Sequence, residues 1–120
     1  MQQMSDPILR QVLSIPYRLE AQTIETSPGQ WVRRATYPEL PGCCAETPTI
    51  VQTLELLERK RVEIIICCLR AGILPPSPRQ PLSDCDPEGL LLRLGLHHEL
   101  APVLDWPVSK LKTAPAHLQN

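Results

Sequence analysis

The chain has 120 residues, with 12 Lys and Arg against 13 Asp and Glu for a net charge of −1, together with 14 Pro, 5 Cys, 2 Trp, 2 Tyr and no Phe. One domain is the default at this length, which excludes two separate catalytic domains, and any core must be built from Leu, Ile, Val and Cys. Near-zero charge gives no global field to concentrate nucleic acid or anionic membrane, and Tyr17, Trp31, Tyr37 and Trp106 alone furnish a poor stacking surface for single strands.

Asp6 before Pro7 predicts a helix start, because the aspartate can cap free amides and proline loses no needed hydrogen bond in the first turn. Ile8, Leu9, Val12 and Leu13 then fall at helical spacing, and Pro16 ends the run. From Tyr17 to Glu25 the pattern becomes two-fold. Tyr17, Leu19, Ala21 and Thr23 share one face and Arg18, Glu20 and Gln22 the other, which predicts a half-buried strand. Ser27 to Gln30 supply turn chemistry, and Trp31 to Tyr37 alternate again, so the two strands form a hairpin. Pro38, Pro41 and Gly42 break the second strand before a third, short one from Cys43 to Glu46.

Thr49 is the strongest helix start in the chain, with Gln52 placed to reach back as in a capping box. Ile50, Leu54, Leu57, Val62, Ile65 and Leu69 track one side of a long helix, with Glu55, Arg59 and Glu63 as four-residue charge pairs and Gly72 as the stop. Val62 to Leu69 also fits a buried strand on propensity, but no Gly, Pro or Asn separates Glu58 from Glu63, which favours a continuous helix. Pro75 to Pro81 reads as an extended linker or an edge strand. Asp86 as cap, Pro87 and the run Leu90, Leu91, Leu92 and Leu94 predict a short helix ending at Gly95, with a further turn from His97 to Leu100 and a mobile end after Trp106. The expected division is residues 1–81 as an α+β domain, 82–105 as a leucine-rich helical extension and 106–120 as a flexible tail.

The cysteines form two adjacent pairs, Cys43 with Cys44 and Cys67 with Cys68, plus Cys85. An odd number fits a disulfide framework badly, and neighbouring cysteines point apart, so the expected environment is the reducing cytoplasm. No secretory signal is expected, nor a membrane span, since the most apolar run, Val62 to Leu74, carries Glu63 and Arg70 and stops short of about 20 residues. His97, His98, Glu99 and Cys85 are metal-ligand types at a spacing that matches no tetrahedral site, and no metal or cofactor is expected. No nucleophile has a base beside it, no glycine loop cradles phosphate and no carboxylate pair makes an acid–base couple, so no catalytic residue is assigned. Arg18, Arg33 and Arg34 on the hairpin, and Arg59, Lys60 and Arg61 within the helix, read as solvated charge balanced by nearby glutamates.

The order strand, strand, short strand, long helix, with Tyr37, Pro38, Glu39, Leu40, Pro41, Gly42 and Cys43 between the second and third strands, Thr49 as cap and Gly72 to Pro78 as exit, resembles the HicB antitoxin family. The resemblance spans about Arg18 to Pro78. It implies an α+β fold, partly RNase-H-like, in which a three-stranded antiparallel sheet packs on one long α-helix, here with extra short helices at both ends. It also implies work by protein binding: masking a small basic RNA-cleaving toxin of the HicA type. Family members often add a ribbon-helix-helix or helix-turn-helix module for autorepression. The stretch after Pro81 lacks its alternating basic strand and paired helices, which argues against a DNA-binding role. The family's acidic-alanine step in the early helix is here Gln52 and Thr53, and its glycine before the cap is Thr47.

The expectation is therefore a non-enzymatic domain that receives a protein partner at the sheet edge beside Tyr37 to Gly42. The candidate contact residues are Arg33, Arg34, Tyr37, Glu39, Leu40 and Gly42. The partner is a HicA-like toxin or, for an orphan chain, a component of a larger assembly, with a homodimer and a DNA-binding autorepressor as further readings.

Overall fold

The computed structural model describes residues 6–81, 86–99 and 102. It is α+β, as expected: helix α1 (Asp6–Leu13), strands β1 (Glu20–Ser27), β2 (Gln30–Thr36) and β3 (Cys44–Thr47), the long helix α2 (Ile50–Arg70), helix α3 (Pro87–Arg93) and a single 3-10 turn, His97–Glu99. The strands form an antiparallel sheet in the order β1-β2-β3, and α2 packs across β2 and β3.

Local chemistry sets each boundary. Between β1 and β2, Pro28 and Gly29 occupy the middle of the turn, and Gly29 takes φ 77°, the left-handed value that the third position of a type II turn requires. A bulge between Glu25 and Ser27 absorbs the splay that such a turn imposes on a hairpin. Helix α2 ends in a Schellman motif: the Gly72 amide donates to the Leu69 carbonyl (3.0 Å) and the Ile73 amide to that of Cys68 (2.9 Å). Helix α3 ends the same way, with Gly95 donating to Leu92 (3.1 Å) and Leu96 to Leu91 (2.7 Å). At its other end Asp86 is the N-cap by position but makes no side-chain capping bond, contrary to the sequence expectation.

Thr49 caps α2 as expected, its hydroxyl accepting from the Gln52 amide at 3.3 Å. The reciprocal half of the capping box is different: the Thr49 amide donates to the Thr47 hydroxyl at 3.3 Å. Thr47 and Thr53, whose hydroxyls lie 2.7 Å apart, make one unit with the helix start, since the Thr53 hydroxyl also lies 2.8 Å from the Thr49 carbonyl and 3.2 Å from that of Arg33 on β2. A fully buried threonine thus ties the first turn of the helix to the sheet, where a purely apolar reading would have placed Ile50; Ile50 is exposed instead.

The buried stripe of α2 runs Thr53, Leu57, Arg61, Ile65 and Leu69, four residues apart at each step, with Val62 and Ile66 beside it. It meets Ala35 of β2 and Ala45 of β3, together with Leu9, Val12 and Leu13 of α1, Leu40, Cys43 and Tyr17 in one core. Leu91 and Leu96 belong to that same core, so the leucine-rich segment after residue 85 packs against the domain that precedes it.

Two sequence expectations are corrected. The first strand begins at Glu20, not Tyr17, and it is exposed on both faces apart from Ile24, because α2 covers its neighbours and leaves it bare. Tyr17 is buried ahead of the strand, its hydroxyl donating to the Pro76 carbonyl at 2.7 Å. The second correction concerns Pro75 to Pro81, which is held to the domain over its first part and at Arg79: Pro75 and Pro76 are buried and Arg79 reaches across to Glu39, while Gln80 and Pro81 are exposed.

Candidate protein-binding edge

The connection between β2 and β3 consists of two successive turns. The Leu40 amide donates to the Tyr37 carbonyl at 2.9 Å and the Cys43 amide to that of Leu40 at 3.1 Å. Pro38 and Pro41 take the second position of each turn, where a fixed φ costs nothing, and Gly42 at φ 83° takes the third position of the second turn. Both ends are tied, the Tyr37 amide and the Thr36 hydroxyl sharing the Cys43 carbonyl at 3.0 and 2.9 Å. This geometry turns Leu40 (1% exposed) and Glu39 (5%) inward and leaves Pro38, Pro41 and Gly42 exposed.

Glu39 joins three stretches of chain. Its carboxylate accepts from the Arg18 amide at 2.7 Å and from both terminal nitrogens of Arg79 at 2.6 and 2.9 Å, and Arg79 also reaches the Pro16 carbonyl at 3.3 Å. The hydrogen bonds from Arg79, followed by that from the Arg18 amide, hold the Glu39 carboxyl below its ordinary pKa, and the same bonds raise that of Arg79.

Behind the loop lies a second polar cluster. Arg61 is 8% exposed, and its guanidinium grips Glu58 through two nitrogens at 3.1 Å each while donating to the Leu13 carbonyl at the end of α1 at 2.8 Å. The Tyr37 hydroxyl donates to Glu58 at 2.7 Å, and its ring packs 6.1 Å from that of Tyr17. Burial alone would raise the Glu58 pKa, but the bonds from Arg61 and Tyr37 outweigh it and lower the net value. Burial raises the pKa of both tyrosines, with the bond to Glu58 adding to the shift of Tyr37. The sequence reading placed Lys60 and Arg61 among solvated charges. The structure buries Arg61 and sets Lys60 against the sheet, its ammonium donating to the Cys44 carbonyl at 2.7 Å.

Of the six candidate contact residues, the structure brings Tyr37, Glu39, Leu40 and Gly42 into one loop and separates Arg33 from Arg34. The arginines are adjacent in a strand, so they point to opposite faces. Arg34 pairs with Glu46 of β3 at 2.7 Å, and Arg18 with Glu20 at 3.2 Å, which neutralises the basic character of the hairpin. Glu58, Arg61 and Arg79 escaped sequence reasoning. Arg61 alone left a signal, falling midway between Leu57 and Ile65 on the buried stripe.

Cys43, buried against the Leu57 carbonyl, has its thiol pKa pushed up to about 11 by burial, which leaves almost no thiolate at neutral pH. Among the described residues no group of three or more His, Cys, Asp and Glu is placed to hold a metal, and no helix is long and apolar enough to cross a membrane. Cys85 lies outside the described residues, as do Leu100, Trp106 and the end of the chain. No protein-family model, curated protein or solved structure matches this chain.

Proposed function

We propose that this chain is a non-enzymatic protein-binding domain of the HicB antitoxin type, which masks a small basic toxin of the HicA type against the end of the sheet that carries the Tyr37–Cys43 loop. The observation that carries the reading is the construction of that loop. Its anchoring residues, Leu40 and Glu39, face inward, and its exposed positions, Pro38, Pro41 and Gly42, sit on a backbone closed by hydrogen bonds at both ends. A surface prepared in this way loses little conformational entropy on binding, so more of the contact energy appears as affinity. The raised thiol pKa of Cys43 supports a binding role over nucleophilic catalysis.

The test is co-expression with the product of the reading frame beside this chain's gene, which this reading expects to be a small basic protein. A stoichiometric complex that suppresses RNA cleavage by that protein is expected. The double variant P38D/P41D, folded as judged by circular dichroism, weakens the complex at least tenfold. Failure to form a complex would overturn the functional reading, and a complex indifferent to P38D/P41D would overturn the assignment to this loop.

A further inference from the structure

The two edges of the sheet are built differently. The β3 edge is four residues long, and the Lys60 ammonium occupies its Cys44 carbonyl. The β1 edge is eight residues long, contains neither Pro nor Lys, and has no strand beside it among the described residues. Its protection is confined to Glu20, Glu25 and the bulge at the Glu25–Ser27 end, so the regular stretch from Glu20 to Ile24 is a template for another strand. From this geometry we infer that β1 pairs antiparallel with β1 of a second copy of this chain, about a two-fold axis at Gln22, to make a continuous six-stranded sheet.

The side chains of the hairpin select a second copy and this register. Paired residues of a continuous sheet share a face, so partners in a symmetric β1 pair must be an even number of positions apart. Glu20 and Glu25 are five apart and lie on opposite faces, so no symmetric pairing can set one against the other. With Gln22 on the axis, Glu20 faces Ile24 of the second copy and Ala21 faces Thr23, and no two carboxylates are opposed. The same register sets Leu19 of the second copy opposite Glu25, which is itself paired with Trp31 on β2. Leu19 and Trp31 are 48% and 57% exposed and are the hairpin's exposed large apolar residues. In the dimer they flank Glu25 from either side on the face that bears α2, once at each end of the junction. On the other face the Gln22 amides meet at the axis between the two Arg34–Glu46 pairs. Moving the axis to Ala21 or Thr23 places Leu19 beside Thr23 or Ser27 and loses its match with Trp31.

This inference concerns the isolated chain and stands or falls separately from the toxin-masking reading. The test is sedimentation equilibrium of the full chain at micromolar concentration, where the mass of two chains is expected. Gln22→Lys apposes two ammonium groups at the axis and yields a single-chain mass, with circular dichroism and thermal unfolding showing that the exposed substitution leaves the fold intact. Gln22→Cys forms a covalent dimer under mild oxidation, whereas Ala21→Cys and Thr23→Cys form no more than the unmodified chain, whose exposed Cys67 serves as background. A single-chain mass for the unmodified protein, a Gln22→Lys dimer, or preferential cross-linking through residue 21 or 23 would each overturn the inference as stated.

Discussion

At the scale of single residues, the loop is held by charged groups that face inward. Glu39 is the clearest case, because one carboxylate satisfies the Arg18 amide and the Arg79 guanidinium together. Its folded pKa lies below the unfolded value of about 4.3. The associated stability is therefore fully present above the unfolded pKa and is lost as pH falls through the folded one. Urea midpoints of the parent chain and Glu39→Gln should differ most at neutral pH and converge in acid. Arg61 makes a parallel case in the core. Arg61→Met strands Glu58 and the Leu13 carbonyl, and since Glu58 is one-third exposed the expected loss is about 2–3 kcal/mol, below the full cost of breaking a buried pair, read from chemical denaturation. The cysteines differ by burial. Iodoacetamide at neutral pH should modify exposed Cys67 in the native protein and reach Cys43 only after unfolding, as peptide mass analysis would show.

At the scale of elements, the threonine cluster at the start of α2 gives a graded expectation. Thr49→Ala removes one capping bond and should cost about 1 kcal/mol. Thr53→Val, which removes the buried hydroxyl's bonds to the Arg33 and Thr49 carbonyls and its contact with the Thr47 hydroxyl, should cost more, roughly 1–3 kcal/mol by the same denaturation measurement. These positions also mark where the sequence was legible. Hydrophobic spacing located the long helix, its cap and its Gly72 stop, because periodicity and capping are local. It misplaced the buried face at the first turn and at Arg61, because a polar residue enters a core only when distant groups satisfy it: for Thr53 a carbonyl twenty residues back, for Arg61 one forty-eight residues back. The half-burial expected of β1 failed for a related reason. Alternation records which residues share a face, but not whether a helix is broad enough to cover it.

At the scale of the whole molecule, the fourteen prolines, read alone, suggest loose chain, yet those at 38, 41, 75 and 76 are built into tight turns and buried packing. The segment from Pro75 to Arg79 is strapped down by Tyr17 and Glu39, contacts between residues forty to fifty-nine positions apart that no local pattern could reveal. Beyond it, Leu91 and Leu96 complete the core. A chain ending at Pro81 should therefore unfold at lower denaturant, with a loss of about 3–6 kcal/mol for two leucines no longer buried.

The loop's anchors face inward and its outer positions are exposed, and the proposal that this outer face meets a partner is measured most directly by the composition of the complex recovered on co-expression with the product of the adjacent reading frame, expected to be a small basic protein. The account predicts a stoichiometric complex that silences RNA cleavage and that P38D/P41D weakens at least tenfold without unfolding the domain. Recovery of this chain without that protein, with RNA cleavage undiminished, would contradict it.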